Sequence, residues 1–241
     1  MNYIARNRLS RFDTDWITVG ILFCFYWFFG ETASPFKRLF VLNDLSISHP
    51  FAEQERVTDN VLYLIACIVP TVIIFYNVEP KHQRQGALLG LWLSLTITGL
   101  LTDVLKIWIG NPRPDFIARC APSPDTPINS LVDSSVCTAP LGEVYLIDGM
   151  KSTPSGHSSI AFSGLGYLSL WGFTNYNASH TYQKVFLCLP LLTASYIALS
   201  RTQDYRHHYF DIAFGMVIGL SITGLVYRRY LKKEEENKLP I

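Results

Sequence analysis

Six stretches rich in apolar residues alternate with polar segments along the chain: Trp16–Gly30, Asn60–Asn77, Gly86–Trp108, Ser158–Phe173, Val185–Ser200 and Phe210–Tyr227. A helix needs about 20 mostly apolar residues to cross a hydrocarbon core, and within lipid every backbone polar group must be paired inside the protein. The pattern predicts an all-α polytopic membrane protein, a bundle of six transmembrane helices. Several runs are shorter than the span requires, so their helices should extend into flanking polar residues. The first run, of about 15 residues, has the length of a signal-peptide core. Pro35 follows it and no clean small-x-small cleavage site does, so an uncleaved signal anchor is expected. Pro70 and Pro190 lie inside apolar runs; neighbouring helices can satisfy the carbonyls they free, so they predict kinks and not ends.

The connections alternate in length. The first (Glu31–Asp59) and third (Ile109–Lys151) are long, while the second (Val78–Gln85), fourth (Thr174–Lys184) and fifth (Arg201–Tyr209) are short. Of the 20 Lys and Arg residues, eleven fall on the face holding both termini and the second and fourth connections. The other nine include residues needed for chemistry, and Arg228, Arg229, Lys232 and Lys233 abut the last run. The excess of cations on cytoplasmic loops then places both termini in the cytoplasm, with the long third connection between helices 3 and 4 extracytoplasmic. On this reading the sequon Asn177-Ala178-Ser179 is cytoplasmic and stays unglycosylated; sugar on Asn177 would invert the arrangement.

Composition agrees with a membrane. Charged residues make up 16% of the chain and hydrophobic ones 49%, against about 25% charged in soluble domains. A net charge of +1 argues against nucleic acid as a partner, which calls for a clear cationic surplus. No linker or repeat divides the chain, so residues 1–241 are read as one domain. Cys24, Cys67 and Cys188 sit in apolar runs and read as small packing residues. Cys120 and Cys137 share the third connection. If it faces an oxidising compartment, a disulfide closing their loop of about 17 residues contributes about 3 kcal/mol in the chain-entropy model.

Three polar clusters stand at the ends of apolar runs: Lys106-x6-Arg113-Pro114, Pro154-Ser155-Gly156-His157 and Ser200-Arg201-x5-His207-x3-Asp211. All three fall on the extracytoplasmic face. Lys106, Arg113 and Arg201 supply fixed cations, the main requirement for stabilising charge on a reacting phosphate; the arginine fork can hold two phosphate oxygens. Pro112 and Pro114 should hold Arg113 in extended backbone. Ser155 and Gly156 begin a helix, whose first amides favour an anion and where Gly permits close approach; a plain cap by Ser155 is the bland alternative. His207 and Asp211, four apart, share a helical face. A carboxylate bonded to one imidazole nitrogen leaves the other free to attack, giving a phosphohistidine, with His157 as general acid and then base. His208 is a rival nucleophile with helix-compatible spacing to Asp211. Asp103, one turn before Lys106, can pair with it. His49, His82 and His180 have no partner cluster.

Together these clusters resemble the three-part signature of the type 2 phosphatidic acid phosphatase superfamily, which also includes bacterial acid phosphatases and vanadium haloperoxidases. The stretches Asn43–Pro50 and Ser200–His208 are most similar to the fungal diacylglycerol pyrophosphate phosphatases. The resemblance implies His207 as nucleophile, His157 as acid/base and Asp211 as orienting acid, with Lys106, Arg113, Ser155, Gly156 and Arg201 binding phosphate. It implies hydrolysis of phosphatidate, diacylglycerol pyrophosphate or lysophosphatidate in the bilayer without a metal or other cofactor. The expected location is a vacuolar or endoplasmic reticulum/Golgi membrane. Two other readings use the same polar residues: a vanadate-binding haloperoxidase, disfavoured by the membrane helices, and a transporter or a catalytically silent relative, the last of which should lack one of the histidines or cations present here.

Overall fold

A computed structural model describes residues 2–79 and 81–236. Six long helices are α1 (Asn2–Thr32), α2 (Asp59–Asn77), α3 (Lys81–Ile109), α6 (Gly156–Asn175), α7 (Thr181–Gln203) and α8 (Tyr209–Glu236). Two short ones, α4 (Phe116–Cys120) and α5 (Glu143–Gly149), lie in the long connection between α3 and α6. No strand occurs among the described residues, only isolated bridges pairing Phe40 with Val132 and Pro122 with Cys137. Lys238, counted among the cytoplasmic cations, lies outside the described residues.

Four helices are long and apolar enough to cross a membrane: Asp59–Asn77, Gln83–Ile109, Thr181–Gln203 and Tyr209–Tyr230. Their outward faces carry exposed Val72, Phe75, Phe186, Leu192 and Leu225, side chains suited to lipid. Helix α6 is different. It is the centre of the bundle, packed by α3, α7 and α8, with 15 of its 20 residues buried. Protein covers it on most sides, so serine and glycine replace bulky apolar residues along it. This is why it reads as apolar in sequence yet falls below the hydropathy of its neighbours.

Small residues set the spacing of the bundle. A Cβ on Gly215 or Gly219 of α8 would stand 2.5 Å from the Ser155 carbonyl oxygen or 2.4 Å from that of Ser159, so only glycine lets α8 lie this close to α6. Close approach through small residues is a main source of helix association where lipid removes the hydrophobic drive. Hydroxyl pairs reinforce it: Thr102 donates to Ser159 at 2.9 Å, and Thr223 donates to the Ser163 carbonyl at 3.1 Å.

The helices continue through both internal prolines. Before Pro70 the chain makes a π turn at Leu64–Ile68. Pro70 has no N–H to give the Ala66 carbonyl, and α6 presses on that carbonyl: a Cβ on Gly164 would stand 1.8 Å from it.

Above one end of the bundle, the α1–α2 and α3–α6 connections fold together as a cap. Phe40, Ile47, Phe116, Cys120 and Met150 form its core, Phe40 and Val132 exchange both backbone hydrogen bonds at 2.9–3.0 Å, and Cys120 is bonded to Cys137. The buried Arg119 donates to both Asp115 carboxylate oxygens at 2.9 and 3.0 Å and to Asp148 at 2.9 Å. The cap thereby holds the signature segments over the helix ends.

Candidate active site

One cavity of about 450 Å³ opens beneath the cap. Lys106, Arg113, Gly156, His157, Arg201 and His207 all line it, so three segments far apart in the chain converge. Each arrives on a helix end: Lys106 on the last turn of α3, His157 on the first of α6, Arg201 on the last of α7, His207 between α7 and α8. Ser155 and Asp211 stand behind the wall. The Ser155 hydroxyl caps α6, accepting from the Ser158 amide at 3.4 Å, which is the bland role weighed from sequence. Gly156 leaves room for the Lys106 ammonium, which a Cβ there would meet at 3.1 Å. Lys106 also lies 3.7 Å from Asp103.

The tautomer of His207 follows from its neighbours. Its Nδ1 is 2.8 Å from the Ser152 carbonyl oxygen, which can only accept, so Nδ1 carries the proton and Nε2 keeps its lone pair. Here the structure corrects the expected direct bond to Asp211, whose carboxylate is 3.8 Å from Nδ1. Asp211 accepts instead from the Ser152 hydroxyl at 2.6 Å, from the Thr153 hydroxyl and from the His208 amide at 2.8 Å. It therefore braces the segment whose carbonyl orients His207, and adds its charge from a short distance. The contact is indirect because the hydroxyls of Ser152 and Thr153, on a segment rather than on the helix, reach the carboxylate first.

His208 is excluded as the free nucleophile in this geometry. Its Nδ1 faces Asp211 at 3.1 Å and its Nε2 the Ser46 carbonyl at 3.2 Å, so both nitrogens are engaged with acceptors. Burial works against its charge, but the Asp211 carboxylate prevails and raises its pKa. For His207 the balance is opposite: burial holds its imidazole down to about 3, against the pull of Asp211. His207 thus keeps a neutral ring through the physiological range. The folded pKa lies below the usual 6.5, so on acidification the unfolded chain takes up this proton first. The stability owed to a neutral His207 is present above pH 6.5 and is lost progressively as pH falls toward about 3. Thermal melts in detergent across that window should show a smaller acid-side loss in His207→Gln than in the parent.

His157 has its Nε2 3.0 Å from the Val57 carbonyl, so Nε2 is the donor and Nδ1 is the nitrogen free to exchange a proton. Nδ1 lies 3.7 Å from Asp59. Arg113 is held by Asp148 through its Nε to the carbonyl at 2.9 Å and through Nη2 to the carboxylate at 2.7 Å. Burial would raise Asp148, but Arg113 and Arg119 outweigh it and hold the carboxylate below its ordinary range. Arg201 donates to Glu55 at 3.1 Å and to the Val57 carbonyl at 2.9 Å. Arg206, outside the signature, lines the same cavity and pairs with Glu55 at 2.8 Å. Among the described residues, the buried side-chain polar atoms lacking a hydrogen-bond partner are the Nε atoms of Arg201 and Arg206. Two orphaned guanidinium donors beside this cavity fit an anion, since burial without a partner is costly.

Several of these participants were missed from sequence. Val57 and Ser152 act through backbone carbonyls, which carry no side-chain signal. Glu55, Asp59 and Asp148 are carboxylates in connections or at a helix start, where solvated acids are ordinary. Arg206 had one signal, its place between the signature Arg201 and His207.

A bundle of long helices, four of them apolar enough to cross a membrane, thus carries a cation-lined cavity at its capped end. Residues 87–235 match the PAP2 superfamily, and the chain belongs to that superfamily. It is 42% identical over 207 residues to diacylglycerol pyrophosphate phosphatase 1 of Saccharomyces cerevisiae, covering 81% of this chain and 71% of that protein. It is 39% identical to probable diacylglycerol pyrophosphate phosphatase 1 of Schizosaccharomyces pombe, covering 85% and 76%. Lipid phosphate phosphatase 2 of Arabidopsis thaliana is 32% identical, covering 79% and 71%. No solved structure matches the chain significantly.

Proposed function

We propose that this integral membrane protein is a lipid phosphate phosphatase. It hydrolyses the terminal phosphate of diacylglycerol pyrophosphate and phosphatidate, and of lysophosphatidate, by double displacement through His207. The observation that carries the reading is the convergence of Lys106, Arg113, His157, Arg201 and His207 on one cavity, with His207 Nε2 left unprotonated by the Ser152 carbonyl. Its fungal relatives bear the names of diacylglycerol pyrophosphate phosphatases.

In the first step the Nε2 lone pair of His207 attacks phosphorus. His157 enters this step as an imidazolium, Nε2–H on the Val57 carbonyl and Nδ1–H toward the substrate; the bond from phosphorus to the leaving oxygen breaks, and that oxygen takes the Nδ1 proton. Positive charge on the phosphorylated imidazole is offset by the Asp211 carboxylate nearby. Water then attacks phosphorus, giving a proton to His157, and inorganic phosphate departs with the electron pair returning to Nε2. Lys106, Arg113 and Arg201 hold the equatorial oxygens, where preorganised cations stabilise the transition state most. Gly156 lets the start of α6 approach the phosphate, and Ser155 serves by capping that helix.

Six spans, with both termini cytoplasmic and the capped cavity extracytoplasmic, are the topology this reading uses. Phosphate release by protein purified in detergent, from diacylglycerol pyrophosphate, phosphatidate and lysophosphatidate in turn, tests the activity. Turnover should persist with excess chelator, because every step above uses side chains alone. No phosphate from any of the three lipids would end the proposal.

A further inference from the structure

The cavity does not stop at the cationic residues. It continues from Lys106 past Asp103 into the space bounded by α1, α2 and α3, where Tyr26, Leu62, Tyr63, Gly99 and Ile107 form its wall. The Tyr26 and Tyr63 hydroxyls meet there at 3.1 Å, one from α1 and one from α2. Two hydroxyls carry two protons and only one lies between them, so the pair can give the other outward. Gly99 makes room for the arrangement, since a Cβ there would stand 3.0 Å from the Tyr26 ring.

Charge orders the cavity along its length. Arg113, Arg201, Arg206 and Lys106 gather at the capped end with Glu55, Asp59 and Asp148, while Asp103, 3.7 Å from Lys106, and Lys151, on the Gly30 carbonyl, mark the passage toward the tyrosines. At the tyrosines the lining offers hydroxyl donors, which suit a neutral hydrogen-bond acceptor. Leu62 and Ile107 beside the tyrosines give the same level apolar walls. The occupant is therefore anionic at one end, neutral and oxygen-accepting next, then apolar.

Building on the phosphatase reading, we propose that the Tyr26–Tyr63 hydroxyl pair is a subsite for the acyl-ester carbonyls of the lipid's glycerol backbone, holding the substrate below its phosphate. The pair donates to an ester carbonyl, so it distinguishes ester-linked from ether-linked lipid with the same chains and headgroup.

The test compares dioctanoyl phosphatidate with its dioctyl ether analogue in mixed micelles, using the parent protein, Tyr26→Phe and Tyr63→Phe. The parent should favour the ester in kcat/KM by about three- to ten-fold, the range expected of one net hydrogen bond, and the Phe variant at the tyrosine that gives the outward proton should lose most of that preference. General damage to the fold lowers both substrates together and leaves the ratio intact, so the ratio isolates the contact. An ester-to-ether ratio unchanged in both variants, or absent in an active parent, overturns the subsite while leaving the phosphatase reading in place. A parent releasing phosphate from neither lipid overturns the phosphatase reading itself.

Discussion

Replacing His207 with alanine is expected to abolish phosphate release, because no other imidazole on the cavity wall offers an unengaged nitrogen in the same place. His157 has Nε2 committed to Val57, and His208 has both nitrogens committed. With lipid labelled in its terminal phosphate, the parent should yield an acid-labile, base-stable phosphoprotein on rapid quenching, and His207→Ala should yield none. Asp211→Asn should keep the fold and lower turnover by about 10²–10⁴, by analogy with residues that orient a catalytic histidine. The structure shows two routes for this loss. The carboxylate braces Ser152 and Thr153, and its charge lies 3.8 Å from Nδ1. Ser152→Ala removes one brace but keeps the carbonyl, so its cost should be far smaller than that of Asp211→Asn. Wild-type rates in His207→Ala would sink the nucleophile assignment.

Arg119→Met should produce the largest loss of stability among single cap substitutions. The guanidinium is buried, bound to both oxygens of the equally buried Asp115, to Asp148 and to the Tyr145 carbonyl at 3.0 Å. It also lies over the Phe51 ring, 5.1 Å from the centroid. Removing one partner of a buried pair strands the other charge, at a cost of about 3–5 kcal/mol. Burial already raises the Asp115 pKa despite Arg119 and Arg113, and Arg119→Met would leave that carboxylate with only the longer contact to Arg206 at 3.5 Å. Melting temperature in detergent reads the loss. Adding Asp115→Asn to Arg119→Met should recover part of it, since the buried carboxylate that lost its two-pronged partner is then neutral. Activity should fall too, because Asp148, which Arg119 helps hold, grips Arg113. An unchanged melting temperature in Arg119→Met would refute this account of the cap.

Much of the candidate site is legible in the sequence because its residues come as short contiguous clusters at helix ends, where spacing carries information. Lys106 and Arg113 flank the turn out of α3, and Ser155 through His157 begin α6. The choice of His207 over His208 was harder. Adjacent histidines at helix-compatible spacings from one carboxylate differ little in pattern, and the distinction rests on the Ser152 and Ser46 carbonyls, from segments remote in sequence. The Tyr26–Tyr63 pair was wholly hidden. Tyrosines in apolar runs are unremarkable one at a time, and their meeting depends on how α1 and α2 lean across α3.

What the chain by itself determined was its medium, its helical character and the chemical inventory of its site. These follow from local properties: runs too apolar for water, backbone that lipid obliges to pair internally, and cations and histidines at fixed spacings at helix ends. Packing alone decided that α6 is the buried axis of the bundle, that Asp211 steers His207 through Ser152, and that the cavity reaches from the arginines to the tyrosines. Those are relations between distant segments, set by glycines that permit contact and by carbonyls that accept protons, and neither property has a fixed partner until the helices have met.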